Sequence, residues 1–321
     1  MAKWVKKGLL LPAAKVAELI EWSDGFTQAP NTVVLRDRIR VYFTTRGIPD
    51  HAGMVKSLGA FVDFSEPAPH AILDAASEPI MDLGGLGEFD EFGTYPVSVE
   101  HVGGRFFAYY GGWTRGESVP FDVAIGLGTS EDGRRFSRFG RGPILSAARD
   151  EPFVVTSPKI RRYKRLWVLT YTAGTQWFMS DGRPEIVYKL RMAVSENGIE
   201  WVRIGENLVP DLLGPGESQA SPDITFSNGS YHMFFCYRHA EDFRHNKSRA
   251  YRVGYAKSSD LFSWERIENR FQLEPSVSGW DSTMVAYPHV FQWGSKKYML
   301  YLGNEVGKDG IGIAQLEGEL V

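Results

Sequence analysis

Five prolines divide the chain at nearly equal intervals. They stand at positions 30, 96, 158, 222 and 288, so successive spacings are 66, 62, 64 and 66 residues. Each opens a short apolar run, and a second, aromatic-rich run follows at 40–43, 105–110, 166–171, 231–235 and 298–301. An independent marker keeps the same period. Ser65, Ser130, Ser195 and Ser258 begin short polar turns spaced 65, 65 and 63 residues apart, and three of these lead to an aromatic at Phe136, Trp201 or Trp264. Two markers with one period identify five copies of a single supersecondary unit.

Each copy offers three or four short strands. Ile39, Val41 and Phe43 alternate with Arg38, Arg40 and Tyr42, the period-2 pattern of a strand with one apolar face. No segment carries a long helix-period pattern between strands, which argues against a βα solenoid or a doubly wound sheet. A sheet of about four strands repeated radially is a β-propeller blade, and such rings hold about 4–8 blades. The expected fold is therefore all-β, a five-bladed β-propeller. The fifth unit ends at 311–316 with no room for a fourth strand. The N-terminal segment 4–11 is expected to complete that blade and close the ring.

Length alone points elsewhere: 321 residues, at about 150 per domain, give two domains. The repeat overrides that prior, because five units of about 64 residues account for nearly every position, 1–321, as one domain. Lys and Arg number 36 against 39 Asp and Glu, for a net charge of −3. Without a basic excess or stripe, neither nucleic acid nor an anionic membrane is an expected partner. Cys236 is the one cysteine, so no internal disulfide and no cysteine-based metal site can form. The apolar stretch 8–14 is short, contains Pro12 and ends at Lys15, which reads as a first strand or lead-in and not as a signal peptide. No apolar run approaches the ~20 residues of a membrane span. A cytoplasmic location is expected.

In a propeller the innermost strands line an axial channel, and the proline-marked strand comes first in each unit. Carboxylates precede every one of these prolines: Asp24, Asp90 with Glu91, Glu151, Glu217 and Asp281, at distances of 5 to 7 residues. Singly, each suits a cap on backbone amides in a repeated turn. Together they would converge on one mouth, where like charges shift each other's titration unless a function uses them. Divalent-cation binding is one such use. No Asp-rich calcium loop or spaced histidine pair supports a dedicated site, so no metal or other cofactor is assigned. Nearby residues suit a sugar: Tyr95, Trp113, Trp177 and Tyr287 offer aromatic faces, while Arg238, His239 and Asn304 end second strands as Arg46 does in the first unit. Aromatic faces stack on pyranose C–H surfaces and polar neighbours fix the hydroxyls.

Five proline-marked units with acids ahead of their inner strands resemble the five-bladed propeller glycosidases, the group of arabinanases, β-xylosidases, invertases, levansucrases and mannoside phosphorylases. Within it the chain is most similar to uncharacterised bacterial propeller proteins of glycan-biosynthesis gene sets. The runs 88–93 (EFDEFG) and 280–288 (WDSTMVAYP), with Gly303 and Asn304, carry that likeness. There are departures. Xylosidase-type members have an Asp directly before the first proline and another before the third, where this chain has Ala29 and Ser157. The invertase motifs are missing, and Glu217 lies five residues before its proline instead of close to it.

The resemblance implies a carbohydrate or activated-sugar substrate and cleavage or transfer of a glycosyl unit. That chemistry needs two carboxylates, about 5–5.5 Å apart for retention and 6.5–9.5 Å for inversion. The candidates are Asp90 or Glu91 together with Glu217 and Asp281: Glu217 as the acid, Asp281 as the base or nucleophile and Asp90 as the orienting carboxylate. Asp24, Tyr95, Trp113, Glu151, Trp177, Arg238, His239, Tyr287 and Asn304 are the candidate substrate-binding residues. Ala29 and Ser157 keep open a non-catalytic glycan-binding propeller. The basic stretch 238–252 keeps open a phosphorylase or a transferase using a phosphorylated or nucleotide-linked sugar.

Overall fold

The computed structural model describes residues 2–50, 53–67 and 70–321. Strand β1 (Lys3–Pro12) leads into the helix α1 (Ala13–Leu19). Helix α1 is a single short segment with Pro12 at its N-cap and Val16 as its buried residue. Strands β2 (Gln28–Val34), β3 (Ile39–Arg46), β4 (Ser57–Phe64) and β5 (Ile72–Ala75) form the first four-stranded run. It is followed by β6 (Gly93–Val102), β7 (Arg105–Thr114), β8 (Asp122–Ser130) and β9 (Ser137–Arg138). These two runs count as one eight-stranded sheet, joined through the parallel bridge between Ser57 and Gly93.

Two further sheets are β10 (Val155–Tyr163), β11 (Leu166–Ser180), β12 (Arg183–Ser195), β13 (Val202–Arg203), and β14 (Glu217–Ser227), β15 (Ser230–His239), β16 (Arg252–Ser258), β17 (Glu265–Arg266). The last contains β18 (Ala286–Trp293), β19 (Lys296–Leu302) and β20 (Gly310–Glu317), with β1 antiparallel to β20 as its fourth strand. Among the described residues no helix is long and apolar enough to cross a membrane.

The first strands β2, β6, β10, β14 and β18 touch one another in that order, and β18 touches β2. Each is interrupted at its X–Pro step. The pairing register skips from Gln28 to Asn31, Thr94 to Val97, Thr156 to Lys159, Ala220 to Asp223 and Ala286 to His289. Ala29, Ser157, Ser221 and Tyr287 hold φ of 48, 50, 55 and 52° there, while Tyr95–Pro96 is cis. A bulge leaves a residue out of the ladder and re-aims the side chains beside it. The proline period is thus a period of bulges.

Beyond the bulges, buried side chains tie each first strand to the next. Asn31 Nδ2 donates to Ser98 Oγ at 3.3 Å, and Ser98 Oγ accepts from Ile160 N at 3.1 Å. Arg161 Nη2 donates to Asp223 Oδ1, and Val290 N to Asp223 Oδ2, both at 2.6 Å. Thr32 N donates to His289 Nε2 at 2.8 Å, which returns the series to β2. Because Nε2 accepts, the imidazole hydrogen is on Nδ1, 3.1 Å from Asp223 Oδ2. Burial pushes the His289 pKa down to about 3, so the ring is neutral over the physiological range.

Apolar side chains from facing sheets fill the space between them, as where Trp167, Leu169 and Tyr171 of β11 pack with Tyr109 and Leu127. Because this second strand is covered on both faces, the expected alternation in β3 gives way to burial from Ile39 to Thr45, with Arg46 exposed at its end. Arg40 is 4% exposed and Tyr42 fully buried. The Arg40 charge is met by Asp63 at 2.7 and 2.8 Å, and Tyr42 Oη donates to Gly133 O at 2.6 Å. Polar residues can occupy the inward face when each finds a partner.

Candidate functional site

Residues at the bulges of all five first strands, Gln28, Tyr95, Ser157, Ala220 and Tyr287, line one cavity of about 480 Å³. Second strands supply Arg46, Trp113 and Thr172, and Tyr188 of β12 and Tyr251 complete an aromatic wall. An adjoining cavity of about 310 Å³ shares Arg46, Tyr95, Arg183, Tyr188, Tyr251 and Tyr287, and adds Trp177, Glu185, Arg238 and Arg244. Tyr95 Oη donates to Tyr287 Oη at 3.0 Å, and Tyr251 stands 6.3 Å from the Tyr287 ring. Burial raises the pKa of Tyr95, Tyr188 and Tyr287, so all three remain phenols. Trp177 packs edge-on to Phe121 at 5.5 Å.

The charged lining is mostly guanidinium. Arg46 stacks over Phe26 at 3.8 Å. Arg238, only 3% exposed, lies 3.5 Å from the Phe243 ring centroid and gives its Nη1 to the carbonyls of His239 and Ala240 at 2.8 and 3.3 Å. Glu185 is the buried carboxylate of the lining. It is shared by Arg244 at 3.2 Å and Arg183 at 3.5 Å.

The expected ring of acids does not form at this cavity. Asp24, Asp90, Glu91, Glu151, Glu217 and Asp281 are all absent from its lining. Four of them turn back into their own sheets. Asp90 accepts from Tyr110 Oη at 2.8 Å and Arg138 Nη1 at 2.9 Å. Glu151 accepts from Tyr171 Oη at 2.8 Å and Arg203 Nε at 3.0 Å. Asp281 accepts from Lys6 Nζ at 2.5 Å and Tyr301 Oη at 3.1 Å. Glu217 accepts from Arg266 Nη1 at 2.6 Å and from the amides of Leu212 and Leu213 at 2.7 and 2.8 Å.

The physical reason is that a buried carboxylate must be hydrogen-bonded and neutralised. Each of these acids has a tyrosine on the second strand and a cation on the outermost one. The tyrosine always stands 20 residues on, at Tyr110, Tyr171, Tyr237 and Tyr301. Asp24 has Thr44 at that distance, and it is exposed. Glu91 is half-buried and accepts the Gly87 amide at 2.9 Å.

Of the expected binding residues, Tyr95, Trp113, Trp177, Arg238 and Tyr287 come together at the two cavities. His239 does not line them, and burial lowers its pKa. Asn304 braces a loop, accepting from Thr283 N at 2.8 Å and donating to Gly279 O at 3.0 Å. It lines neither of these two cavities but a third of about 330 Å³, which shares Phe243, Arg244 and Glu305 with the second. Sequence reasoning did not single out Tyr188, Tyr251, Arg183 and Glu185. One signal for three of them was available: 24 residues separate Tyr171 from Ser195, against 20 from Tyr110 to Ser130. The surplus builds the long β11–β12 hairpin that carries Arg183, Glu185 and Tyr188 to the cavity. Among the described residues no group of three or more His, Cys, Asp and Glu side chains is placed to hold a metal ion.

The all-β architecture is shared with glycoside hydrolases. A complex of BT0996 with RGII matches with a TM-score of 0.74 at 16% identity, over 98% of this protein and 92% of that one. A thermostable family-43 glycoside hydrolase matches with a TM-score of 0.64 at 12% identity, over 92% of both proteins. A structure from the GH130 family of mannoside phosphorylases, described as containing hydrolases of β-1,2 mannosidic linkages in Candida mannan, gives 0.67 at 13%, over 92% and 85%. At such identities the likeness defines the fold class alone. No protein-family model matches the sequence. The "Uncharacterized protein MT1551" and "Uncharacterized protein Rv1502" of two Mycobacterium tuberculosis strains (CDC 1551 / Oshkosh and ATCC 25618 / H37Rv) are each 30% identical to it over 317 residues, 98% of this chain and 99% of theirs. The chain belongs to the family of these mycobacterial proteins.

Proposed function

We propose that the chain is a single-domain, five-bladed β-propeller of the glycosidase type, closed by β1, that binds a carbohydrate in its central cavity. The cyclic contacts of the five first strands, and the side chains tying each to the next, support the blade count and the closure. One observation carries the functional reading. All five bulges deliver residues to one cavity of about 480 Å³ walled by Tyr95, Trp113, Tyr188, Tyr251 and Tyr287. Small-molecule sites run to about 300–1,000 Å³ and combine aromatic walls with a few placed polar groups. A reducing, cytoplasmic setting is part of the reading, with Cys236 a buried thiol.

The placement of the acids favours recognition over hydrolysis by Asp90, Glu217 and Asp281. Two-carboxylate catalysis requires a facing pair about 5–9.5 Å apart across the bond, whereas these three are engaged in three different sheets. A second, enzymatic reading rests on Glu185, the buried carboxylate of the cavity wall. Calorimetry over a panel of mono- and oligosaccharides tests the first reading. Binding is expected to weaken about tenfold in Trp113→Ala and Tyr188→Ala, since aromatic contacts contribute about 0.5–1.5 kcal/mol beyond burial, and to survive in Asp90→Asn. Glycoside turnover abolished by Glu185→Gln would replace it with the second. Turnover abolished by Glu217→Gln in a folded chain would restore the acid ring.

A further inference from the structure

Among the described residues the buried arginines other than Arg238 have carboxylate partners, as does Lys189. Arg40 pairs with Asp63, Arg266 with Glu217 and Lys189 with Asp211, at 2.7, 2.6 and 2.6 Å. The buried Lys159 instead donates to the Pro30 carbonyl at 3.0 Å, and burial lowers its pKa to about 8, an escape open to an amine. Arg238 differs. It is 3% exposed and its hydrogen bonds go to two backbone carbonyls through Nη1 alone. Its Nε has no hydrogen-bond partner, and among the described residues no carboxylate pairs with it. A guanidinium cannot discard its charge by losing a proton, and a buried unpaired charge is destabilising by several kcal/mol on the order of a broken buried pair. The side chain is nevertheless held in place between the rings of Phe243, at 3.5 Å, and Tyr251, at 5.3 Å, on the cavity wall.

The neighbourhood does not neutralise it. Arg46, Arg183 and Arg244 share the same wall, and the two carboxylates there are already paired. Glu185 is held by Arg183 and Arg244, and Glu305 by Lys308 at 2.7 Å. Four arginines against two engaged carboxylates make this cavity cationic in a chain whose net charge is −3. Guanidinium groups present paired donors that match the oxygens of a phosphate or carboxylate.

We infer that the sugar taken by this cavity carries an anionic group, a phosphate or a carboxylate, which docks against Arg238. The inference rests on the carbohydrate reading above and names the substrate class within it. The neutral part of the ligand lies along the tyrosine and tryptophan wall, and the anion supplies the counter-charge the buried arginine lacks.

The test is titration calorimetry on the full chain with matched sets of hexoses, their phosphates and their uronates, and with inorganic phosphate alone. Anionic members are expected to bind at least tenfold tighter than the parent hexose, with the advantage shrinking at high salt. Preference for phosphates identifies one source of the anion, preference for uronates the other. Arg238→Gln is expected to bring the anionic sugars down to the affinity of the neutral ones. Should that variant unfold, competition of inorganic phosphate with the bound sugar in the unaltered protein reads the same site, and the exposed Arg183→Gln gives a partial loss. Equal affinity for neutral and anionic sugars, with Trp113→Ala still weakening both, overturns the anion site and leaves the carbohydrate reading standing. Phosphate binding lost in Arg238→Gln, with no sugar bound at all, overturns the carbohydrate reading and the sugar class named here together.

Discussion

Lys6 Nζ lies 2.5 Å from Asp281 Oδ2, an ion pair that spans 275 residues and fastens β1 to the segment preceding β18. The carboxylate is 2% exposed and also accepts from Tyr301 Oη. Its work is to hold the N-terminal strand in the last sheet. Hydrogen bonds to charged groups contribute about 1.5–3 kcal/mol each, so Asp281→Asn is expected to lower the unfolding free energy by about 2–3 kcal/mol while leaving sugar affinity unchanged. Urea unfolding and calorimetry on the same variant measure both. Lost affinity at full stability would return Asp281 to the cavity chemistry.

The 20-residue spacing between acid and tyrosine yields a sharper contrast. Tyr110, Tyr171 and Tyr301 each donate to the acid 20 residues before them, at 2.8, 2.8 and 3.1 Å. Tyr237 has the same spacing from Glu217, but Arg266 stacks over its ring at 4.5 Å and its hydroxyl makes no bond to that acid. Replacement of each of the first three by Phe is expected to destabilise by about 1.5–3 kcal/mol. Tyr237→Phe is expected to stay within about 0.5 kcal/mol of the parent. Four matched unfolding curves decide it, and a uniform effect would mean that the spacing, not the bond, is what matters.

The division into repeats was legible because proline punctuates at a fixed period, and the bulge at each X–Pro step is its physical cause. The roles of the acids were not. A carboxylate before an inner strand reads the same whether it faces the axis or folds back toward Tyr110 or Tyr171. The partner that decides between them lies 20 residues away on another strand. Arg238 was legible as a strand-end cation, but its lack of a counter-ion is a property of three-dimensional neighbours. Tyr251 was hidden for a related reason: it falls between regular elements, just ahead of β16, where no periodicity marks it.

Acid sensitivity follows from His289. Its folded pKa of about 3 lies below the ordinary histidine value of 6.5, so below 6.5 the unfolded chain binds the proton that the folded ring refuses. The neutral ring's contribution is therefore complete above about pH 6.5 and is lost progressively as pH falls toward 3. Asp223, held below its usual range by Arg161 and His289 against the opposing effect of burial, adds loss in the same direction only below about 4. The urea midpoint is expected to fall between pH 6.5 and 4.5, and His289→Asn to flatten that slope at a lower overall stability. An unchanged slope in the variant would assign the sensitivity to another group, of which His232, also lowered by burial, is the first to examine.

The cavity wall depends on a close approach at Gly93. A Cβ there would overlap Trp113 Nε1 and stand 2.9 Å from the Ser57 carbonyl oxygen, and both Trp113 and Ser57 line the cavity. Overpacking of this kind destabilises by about 1–3 kcal/mol. Relief of the overlap requires the indole or Ser57 to shift, and both line the cavity, so Gly93→Ala is expected to weaken sugar binding as Trp113→Ala does. Gly142→Ala, where an added Cβ meets nothing within 4 Å, is the control and is expected to bind normally. If the glycine acts through the indole, the double variant Gly93→Ala with Trp113→Ala binds no more weakly than Trp113→Ala alone. Additive losses in that cycle would show that Gly93 shapes the cavity by another route, through the Ser57 bridge that joins the first two four-stranded runs.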